Sequence, residues 1–223
     1  GGHAQYLKAP APTMLPLPES LSFEEGAAIS CGTGTAFGAL RRMGLNGSHT
    51  IAIFGQGPVG LSATLIAAAM GARVIALDVG PERRALAKEF GAQTAIDPRA
   101  ADPVQALKDL TQGEGVDLAL DCSASPDARA AAVRSVKTWG TVCFVGEGGD
   151  VTLNVSQDLL RRQVTLIGSW TFSSVGQVDC AGFIAERRIP LKRLITHRFK
   201  LEDADKAYKL FDTQTTGKGL FLF

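Results

Sequence analysis

The sequence lacks a long hydrophobic run and a surplus of charge of one sign. Its longest apolar stretch, residues 61–70, is interrupted by Ser62 and Thr64 and falls short of the ~20 residues that a membrane-spanning helix needs. The 23 Lys and Arg residues nearly balance the 22 Asp and Glu residues, which leaves no basic surplus for a phosphate backbone. We therefore expect neither membrane insertion nor nucleic-acid binding.

Cysteine is scarce, and the first residues carry no targeting signal. The four cysteines, Cys31, Cys122, Cys143 and Cys180, form no CxxC pair and no spacing typical of a disulfide framework. Residues 1–6 have neither the charge nor the apolar core of a signal peptide. These features favour the reducing cytoplasm. Because the sequence does not begin with Met, we also expect it to be a piece of a longer protein.

A regular alternation of short apolar strands and helices runs through the middle of the sequence. Strands are predicted at residues 50–54, 73–77, 93–96, 116–120, 141–145 and 164–168, with helices at residues 58–70, 81–90, 102–110 and 127–136. This alternation predicts an α/β fold, a doubly wound parallel sheet with helices on both faces. At 223 residues, the length suits one domain and about half of another.

The flanking segments do not extend this alternation. Their predicted elements are strands at residues 5–8, 194–199 and 220–223 and helices at residues 175–187 and 201–211. They indicate part of a second domain. Within the alternating unit, residues 150–155 are expected to form an edge strand that pairs with another subunit. Trp139 and Trp170 are expected to be packing residues.

The turn after the first predicted strand has the spacing GxGxxG, which is typical of dinucleotide-binding Rossmann folds. Gly55 suits a tight turn, Gly57 lets the backbone approach a pyrophosphate, and Gly60 lets strand and helix pack closely. Pro58 suits the first helical turn, where an N–H would be unpaired, and Val59 completes the turn. The free amides and the helix dipole attract an anion.

An acidic residue at the end of the second strand supports this interpretation. Asp78 lies 23 positions after Gly55, where a carboxylate binds the adenosine ribose hydroxyls and repels a 2′-phosphate. No Arg follows directly to hold that phosphate, although Arg83 or Arg84 could reach the ribose or the adenine edge. We therefore predict NAD rather than NADP. The alternative is that the glycines only serve a tight connection and that Asp78 caps the next helix.

Several segments together resemble the zinc-dependent alcohol dehydrogenase branch of the medium-chain dehydrogenase/reductase family. These segments are GGHAQY at residues 1–6, AAISCGTGTA at 27–36, the glycine turn at 55–60, ITHRF at 195–199 and TGKG at 216–219. The resemblance implies remnants of a mainly β catalytic domain at residues 1–31 and 170–223. These flank an NAD-binding Rossmann domain at residues 32–169.

The resemblance also implies roles for individual residues. Cys31 would be a zinc ligand, and Thr35 would lie near the nicotinamide. Cys122 and Val145 would border the carboxamide side, and Lys218 would approach the pyrophosphate. The family's amino-terminal half, which supplies the other zinc ligands, is not in this sequence, so the chain alone is expected to bind the dinucleotide without catalysis.

For the intact protein, the resemblance implies reversible hydride transfer between NAD and an alcohol or polyol, assisted by zinc, in a homodimer or homotetramer. Two alternatives stay open. A zinc-free quinone reductase of the same family would usually favour NADPH, which Asp78 opposes, and would leave Cys31 unexplained. A non-catalytic NAD-binding module would describe the chain as it stands.

Overall fold

Six parallel strands form the central sheet in a computed structural model that describes residues 2–213 and 217–223. Their order across the sheet is β3-β2-β1-β4-β5-β6. The strands are β1 Thr50–Phe54, β2 Arg73–Leu77, β3 Thr94–Ile96, β4 Val116–Asp121, β5 Val136–Phe144 and β6 Thr165–Gly168. This is the order of a dinucleotide-binding Rossmann sheet, so the predicted α/β doubly wound fold is confirmed.

Helices connect these strands and flank the sheet. They are α1 Phe23–Ala28, α2 Gly34–Arg42, α3 Pro58–Ala69, α4 Pro81–Glu89, α5 Pro103–Asp109, α6 Pro126–Ser135, α7 Ser174–Glu186 and α8 Ala204–Asp212. Four of them, α3 to α6, begin with Pro. Proline suits this position because the first helical N–H has no partner within the helix. Among the described residues, no helix is long and apolar enough to span a bilayer.

Alternate residues of β1 pack into two separate cores. Ile51 and Ile53 belong to a cluster with residues of α2 and α3, whereas Ala52 and Phe54 belong to a cluster with residues of α5 and α6. All four are at most 2% exposed. Both faces of the strand are therefore covered, which explains why the sequence of β1 is a continuous apolar run rather than an alternating one.

The chain reverses its direction of travel across the sheet between β1 and β4. The strands β2 and β3 extend the sheet to one side of β1, and β4 to β6 extend it to the other. The connections after β1 and β4 consequently run to opposite sides and leave a crevice at the carboxyl ends of these two strands, where open α/β sheets bind ligands.

The flanking segments add helices to the core on one face of the central sheet and form a second sheet. A π-helical segment, Ile29–Thr33, joins α1 to α2. Strands β7 Ile195–Lys200 and β8 Lys218–Leu222 pair in parallel as a separate two-stranded sheet. The strand predicted at residues 5–8 is wrong, since these residues have no strand neighbour and the following Pro10 and Pro12 have no N–H to donate to a ladder.

Two other sequence expectations are corrected. Residues 150–154 form no strand, and Asn154 instead caps a π-helical segment, Val155–Leu159, by accepting a hydrogen bond from Gln157 N. Trp139 and Trp170 are 72% and 67% exposed, so they are not core packing residues. Trp139 has a φ of 61° and lies in the part of β5 where the pairing with β4 shifts register.

Candidate functional site

A cavity of about 720 Å³ lies at the carboxyl ends of the central strands. It is lined by residues from the turns after β1, β2, β3 and β4, together with α6 and the return segment: Phe54, Gly55, Gly57, Pro58, Leu77, Asp78, Val79, Arg83, Pro98, Arg99, Pro103, Cys122, Ser123, Ser125, Asp127, Ala128, Ala131, Phe211 and Gly217. Its volume is within the range of cofactor sites. The GxGxxG turn and Asp78, predicted separately from the sequence, open into this one cavity.

The three glycines of the turn differ in what surrounds them. Gly55 has a φ of +86°, and a Cβ there would lie 2.9 Å from Ser123 Cβ. A Cβ on Gly60 would clash with the carbonyl oxygen of Gly55. A Cβ on Gly57 would meet nothing within 4 Å. The fold itself therefore requires glycine at 55 and 60, whereas Gly57 leaves open space in the cavity wall.

The amino terminus of α3 faces this open space. Gly57 is the N-cap of the helix and, within the described part of the chain, no side chain caps its first N–H groups. Uncapped N–H groups and the helix dipole favour an anion at this end. An anion at this end would face N–H groups that no side chain caps in the described part of the chain.

Gln56 fixes the turn from behind. Its side chain is fully buried, donates to Ile53 O at 3.0 Å and accepts from Thr64 Oγ1 at 2.8 Å. Its backbone N–H donates to Asp78 Oδ2 at 2.6 Å. The glycine turn and Asp78 are thus held together before any ligand is present.

Asp78 is 6% exposed and lies at the end of β2. Its Oδ1 accepts from Gly80 N at 2.7 Å, and its Oδ2 lies 3.9 Å from Arg83 Nη1. Gly80 is the N-cap of α4, so Asp78 supports the entry to that helix without being its cap residue. Arg83 Nε is buried and has no hydrogen-bond partner among the described residues. A ligand acceptor beside Asp78 would satisfy it.

Arg99 lines the same end of the cavity, and the sequence reasoning did not find it. It follows β3, which pairs with β2, and its Nη2 donates to Val79 O at 2.6 Å. Arg84, by contrast, binds Asp97 at 3.0 Å and donates to Asp78 O. The missing signal was the parallel pairing of β2 with β3, which places Leu77 beside Ile96 and so brings the loops after the two strands together.

A buried ion pair lies on the other side of the crevice, and the sequence reasoning did not find it either. Asp121, at the end of β4, is fully buried, and Arg129 Nε lies 3.2 Å from its Oδ2. The remaining guanidinium nitrogens of Arg129 donate to Gly146 O and Gly149 O, both at 2.6 Å. One side chain of α6 therefore ties together the loops after β4 and β5. Asp121 is the centre of this network, since it also accepts from Ser123 N and Ser123 Oγ.

Cys122 contributes an apolar wall beside this network. Burial raises the pKa of its thiol well above the ordinary 9.0, and the nearby Asp121 carboxylate adds to this rise. The thiol is therefore neutral at physiological pH. Cys122 lines the cavity wall as a neutral surface.

Several predicted site residues lie outside the cavity lining. Thr35 Oγ1 donates to Cys31 O at 2.9 Å. Val145 N donates to Asp121 O at 2.9 Å. Val59 and Gly60 belong to the first turn of α3, and Lys218 begins β8. From the return segment, Phe211 and Gly217 line the cavity instead. Thr216, part of the resemblance, lies outside the described residues.

Cys31 is exposed within the π-helical segment Ile29–Thr33. Zinc in a catalytic site needs three protein ligands and one open position. Among the residues that the structure describes, there is no group of three or more His, Cys, Asp or Glu side chains that could hold a metal ion. The described residues do not by themselves form a zinc site.

Comparison with known proteins agrees with this architecture. The family model described as zinc-binding dehydrogenase matches residues 58–186. The uncharacterized zinc-type alcohol dehydrogenase-like protein YphC of Escherichia coli K12 is 40% identical over 225 residues, covering 100% of this chain and 64% of that protein. Sorbitol dehydrogenase 1 of Saccharomyces cerevisiae is 32% identical over 215 residues, covering 93% of this chain and 60% of that protein.

Solved structures give the same result. A zinc-binding dehydrogenase from Sinorhizobium meliloti 1021 bound to NADP superposes with a TM-score of 0.84 at 28% identity, covering 93% of this chain and 61% of that one. The chain thus spans about three fifths of the length of the proteins it matches. It belongs to the zinc-binding dehydrogenase family and corresponds to the carboxyl-terminal part of the zinc-type alcohol dehydrogenases.

Proposed function

We propose that this chain is the dinucleotide-binding part of an enzyme that oxidises an alcohol or polyol with NAD. The observation that carries the proposal is the convergence of the GxGxxG turn, the uncapped amino terminus of α3 and Asp78 on one cavity. Sorbitol dehydrogenase among the relatives supports a polyol substrate. The family's activity supports hydride transfer as the reaction.

In this proposal, the residues of the chain bind and orient the cofactor. The N–H groups at the start of α3 hold the pyrophosphate over Gly57, where no side chain intervenes. The Asp78 carboxylate accepts hydrogen bonds from the adenosine ribose, and Arg83 Nε donates to the same half of the ligand. NAD, when bound, supplies the carbon that takes the hydride from the substrate. Thr35, Cys122, Val145 and Lys218 are proposed contacts of the rest of the cofactor.

NAD is proposed as the preferred cofactor because Asp78 is a buried carboxylate with little room for water. A 2′-phosphate at the ribose would meet this negative charge in a partly desolvated site. Because the Sinorhizobium meliloti structure is bound to NADP, the affinities for NADH and NADPH should be compared directly. We expect purified protein to bind NADH at least about tenfold more tightly than NADPH. Equal affinity for the two would contradict the proposed cofactor preference.

Zinc enters the proposal only through Cys31. The described residues supply this one candidate ligand, so the remaining ligands would have to come from elsewhere. Alkylation of Cys31 tests the role. Zinc-loaded intact protein should resist iodoacetamide at Cys31, and a chelator should restore the reaction. Equal labelling with and without zinc would contradict it.

A non-catalytic dinucleotide-binding module is the second candidate. It requires only the cavity and the hydrogen-bonded pair of the glycine turn and Asp78, which the described residues supply. Steady-state oxidation of sorbitol and of simple secondary alcohols by the intact protein separates the two. Turnover with NAD supports the enzyme, whereas NADH binding without any turnover supports the module. A homodimer or homotetramer in the cytoplasm is proposed for either function.

A further inference from the structure

Arg99 closes the end of the cavity beyond Asp78, and the proposed function assigns it no role. It comes from the loop after β3, and the pairing of Leu77 with Ile96 brings this loop beside the loop after β2. Its Nη2 donates to Val79 O, the carbonyl of the residue next to Asp78. Arg99 is therefore at the adenosine end of the proposed cofactor site.

Hydrogen bonds from Nε and Nη2 hold the Arg99 guanidinium in place. Nε and Nη2 donate to the two carboxylate oxygens of Asp97 at 3.3 and 3.2 Å, and Nη2 also donates to Val79 O. The hydrogen bonds from Arg99 hold the pKa of Asp97 at about 2, below its ordinary 3.8, so the carboxylate is charged at neutral pH. Asp97 is held from its other side by Arg84, at 3.0 Å.

The flat face of the guanidinium is open to a ligand, since the side chain is 65% exposed. The apolar residues Val79, Pro98 and Pro103 line the same cavity. An exposed planar cation in a partly apolar cavity fits a planar heteroaromatic base, which stacks on guanidinium planes. We propose that the face of Arg99 is the contact surface for the adenine of the dinucleotide. This inference rests on the proposed function, since it needs a dinucleotide in the cavity.

A 2′-phosphate fits Arg99 less well than a base does. Phosphate is held best by two parallel N–H donors of one guanidinium edge. In Arg99 one such edge already holds Asp97, and that carboxylate offsets the positive charge. Arg99 is therefore expected to contribute equally to the binding of NADH and of NADPH, whereas Asp78 is expected to favour the binding of NADH.

Calorimetric titration of the intact protein with two half-ligands tests the inference. ADP-ribose contains the adenine, and nicotinamide mononucleotide does not. Arg99→Lys keeps the charge and the partner Asp97 but removes the planar face. We expect this variant to bind ADP-ribose about tenfold more weakly, as for loss of a stacked base contact. Its binding of nicotinamide mononucleotide should be unchanged. Arg161→Lys, an exposed Arg outside the cavity lining, is the matched control and should bind both as the wild type does.

Each other outcome has a distinct meaning. If wild-type protein binds no ADP-ribose, the proposed function fails and the inference with it. If it binds ADP-ribose and Arg99→Lys binds equally well, only the adenine contact is wrong. If Arg99→Lys or Arg99→Gln weakens the binding of NADPH much more than the binding of NADH, Arg99 is a phosphate ligand and the stacking role is overturned. A melting temperature equal to that of the wild type excludes misfolding as the cause of weaker binding.

Discussion

The backbone N–H of Gln56 donates a hydrogen bond to Asp78 Oδ2 at 2.6 Å. This bond joins the glycine turn after β1 to the carboxylate at the end of β2. Since the Gln56 side chain is itself buried and bonded to Ile53 and Thr64, neither part can shift alone. The proposed contacts to pyrophosphate and ribose are thus held at a fixed spacing by the protein.

Asp78→Asn should change cofactor choice. The amide is a weaker acceptor for the ribose hydroxyls, so NADH affinity is expected to fall about tenfold, and it removes the negative charge that opposes a 2′-phosphate, so NADPH affinity is expected to rise. Fluorescence titration with both nucleotides measures the ratio. The variant should also lose about 1–2 kcal/mol of unfolding free energy, because the Gln56 N–H meets a poorer acceptor. An unchanged NADH-to-NADPH ratio would show that Asp78 does not set the preference.

Gly57→Ala and Gly60→Ala form a matched pair. A Cβ on Gly57 has no neighbour within 4 Å, so Gly57→Ala should leave the melting temperature unchanged. The added methyl group should weaken NADH binding, because it occupies the proposed position of the pyrophosphate. A Cβ on Gly60 clashes with the Gly55 backbone, so Gly60→Ala should cost about 1–3 kcal/mol of stability. Thermal unfolding and NADH titration distinguish them. Normal NADH binding by a folded Gly57→Ala protein would contradict the proposed phosphate position.

Arg129→Met should be strongly destabilising, because it leaves the Asp121 carboxylate buried without its cation. Removing one partner of a buried pair costs about 3–5 kcal/mol, and the arginine side chain here is 8% exposed. Arg134→Met is the control, since that arginine is 48% exposed beside Asp158 and should cost less than about 1 kcal/mol. Urea unfolding measures both. Similar losses in the two variants would contradict the central role of Arg129.

Asp97 should make stability depend on acid pH. Hydrogen bonds from Arg99 lower its pKa from 3.8 to about 2 in the folded protein. A lowered folded pKa means that its contribution is complete above pH 3.8 and is lost as the pH falls towards about 2. The stability difference between wild type and Asp97→Asn should therefore shrink over that interval. A difference that stays constant through the interval in chemical unfolding would refute this.

Alkylation should distinguish the four cysteines in the absence of metal. Cys31 is exposed, whereas burial raises the pKa of Cys143 to about 11 and that of Cys180 to about 12. Iodoacetamide at mildly alkaline pH is expected to modify Cys31 first, because the thiolate is the reactive form. Mass spectrometry of tryptic peptides identifies the site, and Cys31→Ser should abolish the fast phase. Equally fast labelling of Cys143 would contradict the described burial.

The sequence predicted those parts of the site that follow a known motif: the glycine turn and the acidic residue 23 positions after Gly55. The glycine turn, Pro58 and Asp78 obey local rules, because each occupies a set position relative to a strand end. Arg99 and the Arg129–Asp121 pair could not be found in this way. Their partners are brought to them by strand pairing and helix packing, and a lone Arg in a sequence resembles any solvated charge.

The wrong predictions also have physical causes. The segment at residues 150–155 has strand-like residues, but Asn154 and Asp158 supply local hydrogen bonds that favour a helical turn. Trp139 and Trp170 were expected to pack because they are large and apolar. Residue type alone does not determine burial, and Trp139 lies with a positive φ where the pairing of β5 with β4 is irregular.

The position of β1 in the sheet separates the site into two halves during folding. Ile51 pairs with the nearby Val74 on one side and with the distant Leu118 on the other. Closing the shorter loop costs less chain entropy, and local contacts form faster than distant ones. The adenosine half, built from residues 50–99, is therefore a local unit that can assemble early. The crevice beside β4, where hydride transfer is proposed, requires the distant half of the chain to arrive.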